Sequence, residues 1–150
     1  MDVGSEYRQL SAQGTSKIRI VIALYEQMVK DINRAIAAIE EDNIERRSRE
    51  IDHTLSIIEQ LQGRLDHQTG GDIADNLDRF YSSLRARLLE AQISKSAEIL
   101  QEQMAQLLSL RDAWLEIARI EERNSEAVTP PTLAGSPGDA NAVTGQGWEA

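Results

Sequence analysis

Residues 72–93, DIADNLDRFYSSLRARLLEAQI, carry an uninterrupted apolar stripe that limits the possible folds of this chain more than any other feature. The stripe repeats every three or four residues, which is the period of one face of an α-helix. Its members are Ile73, Leu77, Phe80, Tyr81, Leu84, Leu88 and Ala91. A helix of this length extends for about 35 Å, at a rise of ~1.5 Å per residue. Such a surface must be buried against other helices or against a partner.

Three further segments have the same period. The first is predicted over residues 16–41 and the second over residues 44–65, with Asn43 as the N-cap of the second. The paired glycines Gly70 and Gly71 mark a turn, after which Asp72 opens the third helix, which ends near Ser94. Ser96 is the predicted cap of the fourth helix, which fades over residues 121–123.

The short connections between these segments predict the fold class. Loops of a few residues favour antiparallel neighbours, so we expect an all-α, antiparallel up-and-down four-helix bundle over residues 16–123. Residues 1–15 would then form an N-terminal arm. Residues 124–150 contain all three prolines and no lysine or arginine, and we expect them to be a disordered tail.

Charge and composition exclude several classes of partner. The net charge of −9 disfavours nucleic acid and anionic membrane surfaces. No segment approaches the ~20 apolar residues of a membrane span, and no signal peptide is visible. The chain has no cysteine, which fits a cytoplasmic location. The basic residues Arg46, Arg47 and Arg49 alternate with glutamates and are expected on a solvated helix face.

No enzyme chemistry is indicated, and we expect no catalytic residue, cofactor or metal. Glu50 and His53 match one Glu-x-x-His pair of a di-iron bundle, but the second pair is missing. A histidine phosphotransfer module is the alternative function, because His53 lies off the buried helix face and could accept a phosphoryl group. The residues after His53 lack the lysine and glycine typical of that pattern.

The helices carry more apolar residues than a bundle core needs. Residues outside the main stripes include Ile20, Leu24, Leu89, Ile93, Ile99, Leu110, Ile117 and Ile120. Part of this surplus should be exposed, and a contiguous exposed apolar surface marks an interaction site. A groove between helices would suit an amphipathic partner segment.

Several of these segments together resemble one known family. LYEQMVK at residues 24–30, LDH at 65–67, GGDIADNL at 70–77, RLLEA at 87–91 and RDAW at 111–114 are similar, in order and spacing, to the flagellin-specific secretion chaperones of the FliS family. The resemblance covers roughly residues 7–118. Ala91-Gln92, Lys95-Ser96 and the helix start at Thr15 depart from the family pattern.

The resemblance implies a cytoplasmic helical bundle that binds the C-terminal segment of flagellin. The bundle would prevent premature polymerisation and deliver the client to a component of the flagellar type III export gate. Neither a cofactor nor a metal is implied, and whether the free protein forms a homodimer stays open.

The resemblance also suggests two groups of functional residues. For the flagellin-binding groove they are Tyr25, Asn76, Leu77, Tyr81, Leu84 and Leu88. The apolar members could instead fill the core, whereas the amide of Asn76 could bond an incoming backbone. The arm resembles a movable cap over the groove, with Tyr7 and Leu10 docked on the bundle until flagellin replaces them.

Overall fold

The protein consists of four consecutive α-helices. The computed structural model describes the backbone of residues 3–128 and the side chains of residues 16–124. The helices are α1 (Val3–Glu40), α2 (Ile44–Gly63), α3 (His67–Ser94) and α4 (Ala97–Val128). The predicted all-α class is confirmed. Helix α1 begins before its predicted start at residue 16, α3 begins before Asp72, and α4 continues past residues 121–123.

The helix boundaries follow local capping chemistry. The side chain of Asn43 accepts the backbone N–H of Arg46 at 3.0 Å, and Ser96 Oγ accepts the N–H of Ile99 at 3.1 Å. These bonds satisfy donors that the first turn of a helix leaves free, and both caps are as predicted. Lys95, with φ of 55°, ends α3 in the left-handed conformation.

Residues 20–114 form one compact unit in which the four helices alternate in direction. Contacts between neighbouring helices fit antiparallel packing, as in the contact between the start of α2 and the end of α3. They are Asp31 with His53 for α1 and α2, Arg47 with Gln92 for α2 and α3, Arg87 with Glu102 for α3 and α4, and Glu26 with Arg111 for α1 and α4. This is the predicted up-and-down order.

The core of this unit is aliphatic, with two central tyrosines. It contains Tyr25, Met28, Ile32, Ala35, Ile36, Ile51, Ile57, Ile58, Leu61, Tyr81, Leu84, Leu88, Ala91, Leu100 and Leu107. Each of the four helices contributes to it, at the spacings of three and four that the sequence shows.

Of the residues that the structure describes, 3–19 and 115–128 belong to the other unit. In its described part, Arg19 Nη2 donates to Glu122 Oε1 at 2.6 Å, and Ala118 is buried. The side chains of Tyr7 and Leu10 lie outside the described residues, as does the tail from residue 129. The division into arm, bundle and tail therefore stays a prediction.

One expectation about the polar surface is wrong. Arg47 was expected on a solvated face but is buried, because its Nε donates to Gln92 Oε1 at 3.1 Å. Gln92 in turn donates to Ser48 Oγ at 2.7 Å, which fixes the amide between α2 and α3.

Among the described residues, no helix is both long enough and apolar enough to cross a membrane.

Candidate functional site: two apolar clefts at the start of α3

Helix α3 begins with a capped turn that a glycine interrupts. Asp66 Oδ1 accepts the backbone N–H groups of Gln68 and Thr69, both at 3.1 Å, and Oδ2 accepts the Thr69 hydroxyl at 2.8 Å. The bond from the Thr69 N–H is the largest of the effects that lower the pKa of the Asp66 carboxyl below its ordinary value. Asp66, and not Asp72, is therefore the N-cap of α3.

The helix is kinked at Gly71, whose φ of 53° and ψ of −126° are not helical. Side chains with a Cβ rarely adopt this conformation, so a glycine is required here. Ile73, which the stripe predicted to be buried against another helix or against a partner, is 69% exposed, whereas the neighbouring Ala74 is buried.

A first cleft opens beside this kink. It has a volume of about 320 Å³ and draws on all four helices of residues 20–114. Its lining residues are Val21, Leu61, Arg64, Leu65, Asp66, Thr69, Gly70, Ile73, Ala74, Leu77, Tyr81 and Trp114. Most of these side chains are apolar, which suits an aliphatic or aromatic side chain of a partner.

A second cleft lies between α3 and α4 and is about 580 Å³ in volume. It is lined by Ile73, Asn76, Leu77, Phe80, Gln106, Ser109, Leu110 and Ala113. Ile73 and Leu77 belong to both clefts, so the two are adjacent. Together they form a broken apolar surface with polar groups at its edge.

A chain of hydrogen bonds supports the first cleft from below. Trp114 Nε1 donates to the Tyr25 hydroxyl at 3.3 Å, and the hydroxyls of Tyr25 and Tyr81 lie 2.7 Å apart. The two tyrosine rings meet edge to face, with centroids 6.3 Å apart. Burial raises the pKa of both phenols. Because Trp114 and Tyr81 line the cleft, these bonds fix the position of two of its walls.

The structure separates the six residues predicted for the groove. Tyr25, Tyr81, Leu84 and Leu88 are at most 2% exposed and belong to the core, although Tyr81 also touches the first cleft. Leu77 lines both clefts. A groove formed by all six stays a prediction.

Asn76 lies at the edge of the second cleft, and its side chain is exposed. Its Oδ1 accepts a hydrogen bond from Arg79. In this arrangement the amide nitrogen of Asn76 is the group that could donate to a partner's backbone.

Sequence reasoning missed other lining residues. It placed Ile73 and Phe80 in the apolar stripe of the third helix and Val21 on the apolar face of the first helix, without assigning them to a groove. Leu110, which was among the apolar residues expected outside the main stripes, lines the second cleft. Trp114, interpreted as a core residue, is only partly buried.

His53, the basis of the phosphotransfer alternative, lies on another surface. Its side chain is 52% exposed, and its Nδ1 is 2.5 Å from Oδ2 of the buried Asp31. Asp31 Oδ1 also accepts from Gln27 Nε2 at 2.9 Å. The exposed position agrees with the prediction, whereas the buried carboxylate beside it could not be foreseen from local spacing.

Adjacent apolar clefts on a helical bundle offer a surface on which an apolar partner segment could dock. The family model "Flagellar protein FliS" matches residues 2–121. The chain therefore belongs to the FliS family, which confirms the resemblance.

Curated relatives agree with this assignment. The chain is 30% identical over 118 residues to the flagellar secretion chaperone FliSB of Pseudomonas aeruginosa, which covers 76% of this chain and 94% of the relative. It is 26% identical over 117 residues to the flagellar secretion chaperone FliS of Salmonella typhimurium, covering 75% and 87%. The Bacillus subtilis FliS is 25% identical over 118 residues, covering 79% and 87%. The family role is that of a chaperone and not of an enzyme.

Proposed function

We propose that this protein is a cytoplasmic export chaperone that binds the C-terminal segment of flagellin in the two clefts. Bound there, the segment cannot enter a growing filament, and the complex is delivered to a component of the flagellar type III export gate. Membership of a flagellar secretion chaperone family supports this proposal. The single observation that carries it is the exposure of Ile73 where the two clefts meet.

The physical argument rests on apolar burial. Fully burying an isoleucine side chain contributes about 1.5–3 kcal/mol. Ile73 is 69% exposed in the free protein, so most of this free energy would be gained only when a partner buries it. A disordered client loses conformational entropy on binding, which moderates the affinity and permits release.

The test is titration calorimetry of the full chain against the C-terminal segment of the host's flagellin. We expect one-to-one binding with a negative heat-capacity change, the signature of apolar burial. Ile73→Ser should weaken binding by about tenfold or more, which corresponds to ~1.4 kcal/mol. Ile93→Ser is the matched control, because Ile93 is 84% exposed on the same helix and lines neither cleft.

Absence of binding at micromolar concentrations, with the arm intact and deleted, would contradict the flagellin proposal. Equal weakening by Ile73→Ser and Ile93→Ser would place the client elsewhere. The His53→Ala variant should bind the client unchanged. Loss of phosphoryl acceptance in that variant would instead support the phosphotransfer alternative.

The arm has a separate role in this proposal. We propose that residues 1–15 act as a movable cap, with Tyr7 and Leu10 occupying apolar surface until flagellin displaces them. Deleting residues 1–12 should then raise the affinity for the client and reduce hydrogen-exchange protection of the surface that the arm covers. An unchanged affinity together with unchanged protection would exclude the cap.

A further inference from the structure

A second apolar surface lies away from the clefts, on the outer face of α2 and α3. Leu89 is 46% exposed and Ile93, one turn further along α3, is 84% exposed. Ala86 is exposed one turn before Leu89, and the half-buried Leu55 of α2 lines the same groove as Leu89. We call this surface the α2–α3 face, consisting of Leu55, Ala86, Leu89 and Ile93.

A shallow groove runs along the α2–α3 face. It has a volume of about 430 Å³ and is lined by Asp52, Leu55, Ser56, Glu59, Arg85 and Leu89. Helices α2 and α3 are hydrogen-bonded to each other near both ends, by Arg47 with Gln92 and by Gln62 with Asp78. The surface between them therefore continues from the groove toward Ile93. The groove is therefore a feature of an ordered helix pair.

Carboxylates lie at regular intervals along α2, and Asp52 and Glu59 line the groove. Glu45, Asp52 and Glu59 are each seven residues apart, so they lie on one side of the helix. Within residues 16–124, none of these three carboxylates forms an ion pair or a side-chain hydrogen bond. Arg85 lines the groove, but its Nη2 donates to Gln62 Oε1 at 3.0 Å.

We propose that the α2–α3 face docks an amphipathic helix of another protein, with aliphatic residues at its centre and lysines or arginines at heptad spacing along one edge. The apolar side chains of the α2–α3 face would contact the aliphatic residues of this helix. The basic edge would pair with Glu45, Asp52 and Glu59, as charged residues flank the apolar seam of a coiled coil. A helix is the fitting partner because its own near-heptad repeat matches the spacing of the carboxylates.

The geometry also makes this docking independent of the clefts. Ile73 and Ile93 are 20 residues apart on α3, which corresponds to about 30 Å at ~1.5 Å per residue. Glu45 and Glu59 span 14 residues, or about 21 Å of helix. A helix of four turns could therefore cover the α2–α3 face while a client occupies the clefts.

The experiment uses the full chain and a synthetic helical peptide of three heptads, with leucine at the a and d positions and lysine at e and g. We expect saturable one-to-one binding by calorimetry or fluorescence anisotropy. Leu89→Ser should weaken it by about tenfold, as loss of a central apolar anchor does. The Asp52→Asn/Glu59→Gln double variant should weaken it comparably and reduce its dependence on salt.

Two controls separate docking from general charge attraction. The Glu98→Gln/Glu116→Gln double variant makes the same change in net charge at exposed carboxylates of α4, and it should bind the peptide as the original chain does. A peptide with serine in place of each leucine has the same charge and should not bind. All substituted residues are exposed or partly exposed, and circular dichroism verifies that each variant is folded.

Four outcomes would overturn the proposal. They are no binding of the leucine–lysine peptide, equal binding by all variants, loss of binding on Ile73→Ser, and concentration-dependent self-association that Leu89→Ser abolishes. The third result would assign the peptide to the clefts, and the fourth would assign the α2–α3 face to a second copy of this chain. Flagellin binding is measured separately, so its failure would leave this test intact.

Discussion

The two halves of α3 carry the same apolar stripe but differ in how far that stripe is buried. From Leu84 to Ala91 the inward side chains are almost fully enclosed, and the helix is regular. From His67 to Tyr81 the helix contains a kink, exposes Ile73 and leaves Leu77 only partly buried. The second half therefore closes the core, whereas the first half leaves part of its apolar stripe available to a partner.

The boundary between the halves is the hydrogen-bonded pair of Tyr25 and Tyr81. Tyr81 belongs to the core and also lines the first cleft. A hydrogen bond is directional, and aliphatic packing is not. The pair therefore gives the cleft a fixed floor even though the cleft itself is open to solvent.

The largest expected difference between the halves is in core packing. Leu88→Ala should lower the free energy of unfolding by about 3 kcal/mol, because it removes a fully buried side chain and leaves a cavity. Leu77→Ala should cost less than half as much, since Leu77 is partly solvated and its site can collapse. Urea denaturation of both variants measures the difference. Equal losses would mean that the first half of α3 is packed as tightly as the second.

A smaller effect is expected from the tyrosine pair. Tyr25→Phe should cost about 2 kcal/mol, because it removes the acceptor of Trp114 Nε1 and the partner of the buried Tyr81 hydroxyl. Tyr81→Phe should cost less, since Tyr25 can still accept from Trp114. Thermal or urea unfolding of the two variants ranks them. The reverse order would show that Tyr81, and not Tyr25, organises the cleft floor.

The ionisation of Tyr25 and Tyr81 at alkaline pH gives an independent test of the same pair. Burial raises the folded-state pKa of both phenols. Their contribution to stability is then complete below the ordinary phenol pKa of about 10 and is lost as the pH rises above it. An absorbance titration should show Tyr25 and Tyr81 ionising above the range of an exposed tyrosine.

Periodicity predicted the bundle because helix-forming stripes and short loops are local features of the chain. The caps at Asn43 and Ser96 could be predicted for the same reason. The exposure of Ile73 could not be predicted, because Ile73 belongs to the same stripe as the buried Tyr81 and Leu84 and only the placement of the other helices leaves it open to solvent. The buried state of Arg47 depends on Gln92, which is 45 residues away along the chain.

The candidate site was less predictable than the fold. Whether an apolar residue such as Leu84 or Leu77 faces the core or a cleft depends on a difference of a few tens of degrees around the helix axis. Periodicity cannot resolve this difference when the stripe is wide. The first cleft is formed by all four helices and the second by α3 and α4, so neither can be predicted from the pattern of a single helix.

Substitution at Gly71 is the next test of the difference between the two halves of α3. Gly71→Ala should lower the free energy of unfolding by at least about 1 kcal/mol, because the φ of 53° and ψ of −126° are strained for a residue with a Cβ. Gly63→Ala is the matched control, since Gly63 is helical and a Cβ there meets nothing within 4 Å. It should be neutral or stabilising by up to ~1 kcal/mol.

Client affinity extends the test of the kink. If Gly71→Ala straightens the helix, the turn that carries Thr69 and Gly70 moves relative to Ile73 and changes the shape of the first cleft. Client binding should then weaken, whereas Gly63→Ala should leave it unchanged. A destabilised Gly71→Ala variant with full client affinity would show that the kink is not what exposes the cleft.

The smallest expected effect concerns the cap that starts the first half of α3. The pKa of Asp66 lies below its ordinary value near 3.8, chiefly because its carboxylate accepts the Thr69 N–H. The ionised cap therefore contributes stability that is complete above the ordinary pKa and is lost as the pH falls through the lowered, folded-state pKa. Asp66→Asn keeps a capping oxygen but cannot ionise.

Thermal unfolding at a series of pH values, from neutral to below the ordinary carboxyl pKa, compares the original chain with Asp66→Asn. The original chain should have the higher melting temperature at neutral pH, and the difference between the two melting temperatures should shrink as the pH falls. A difference that does not vary with pH would mean that the ionised carboxylate gains nothing from the cap. In that case Gly71 alone, without a charged cap, would account for the distinct behaviour of the first half of α3.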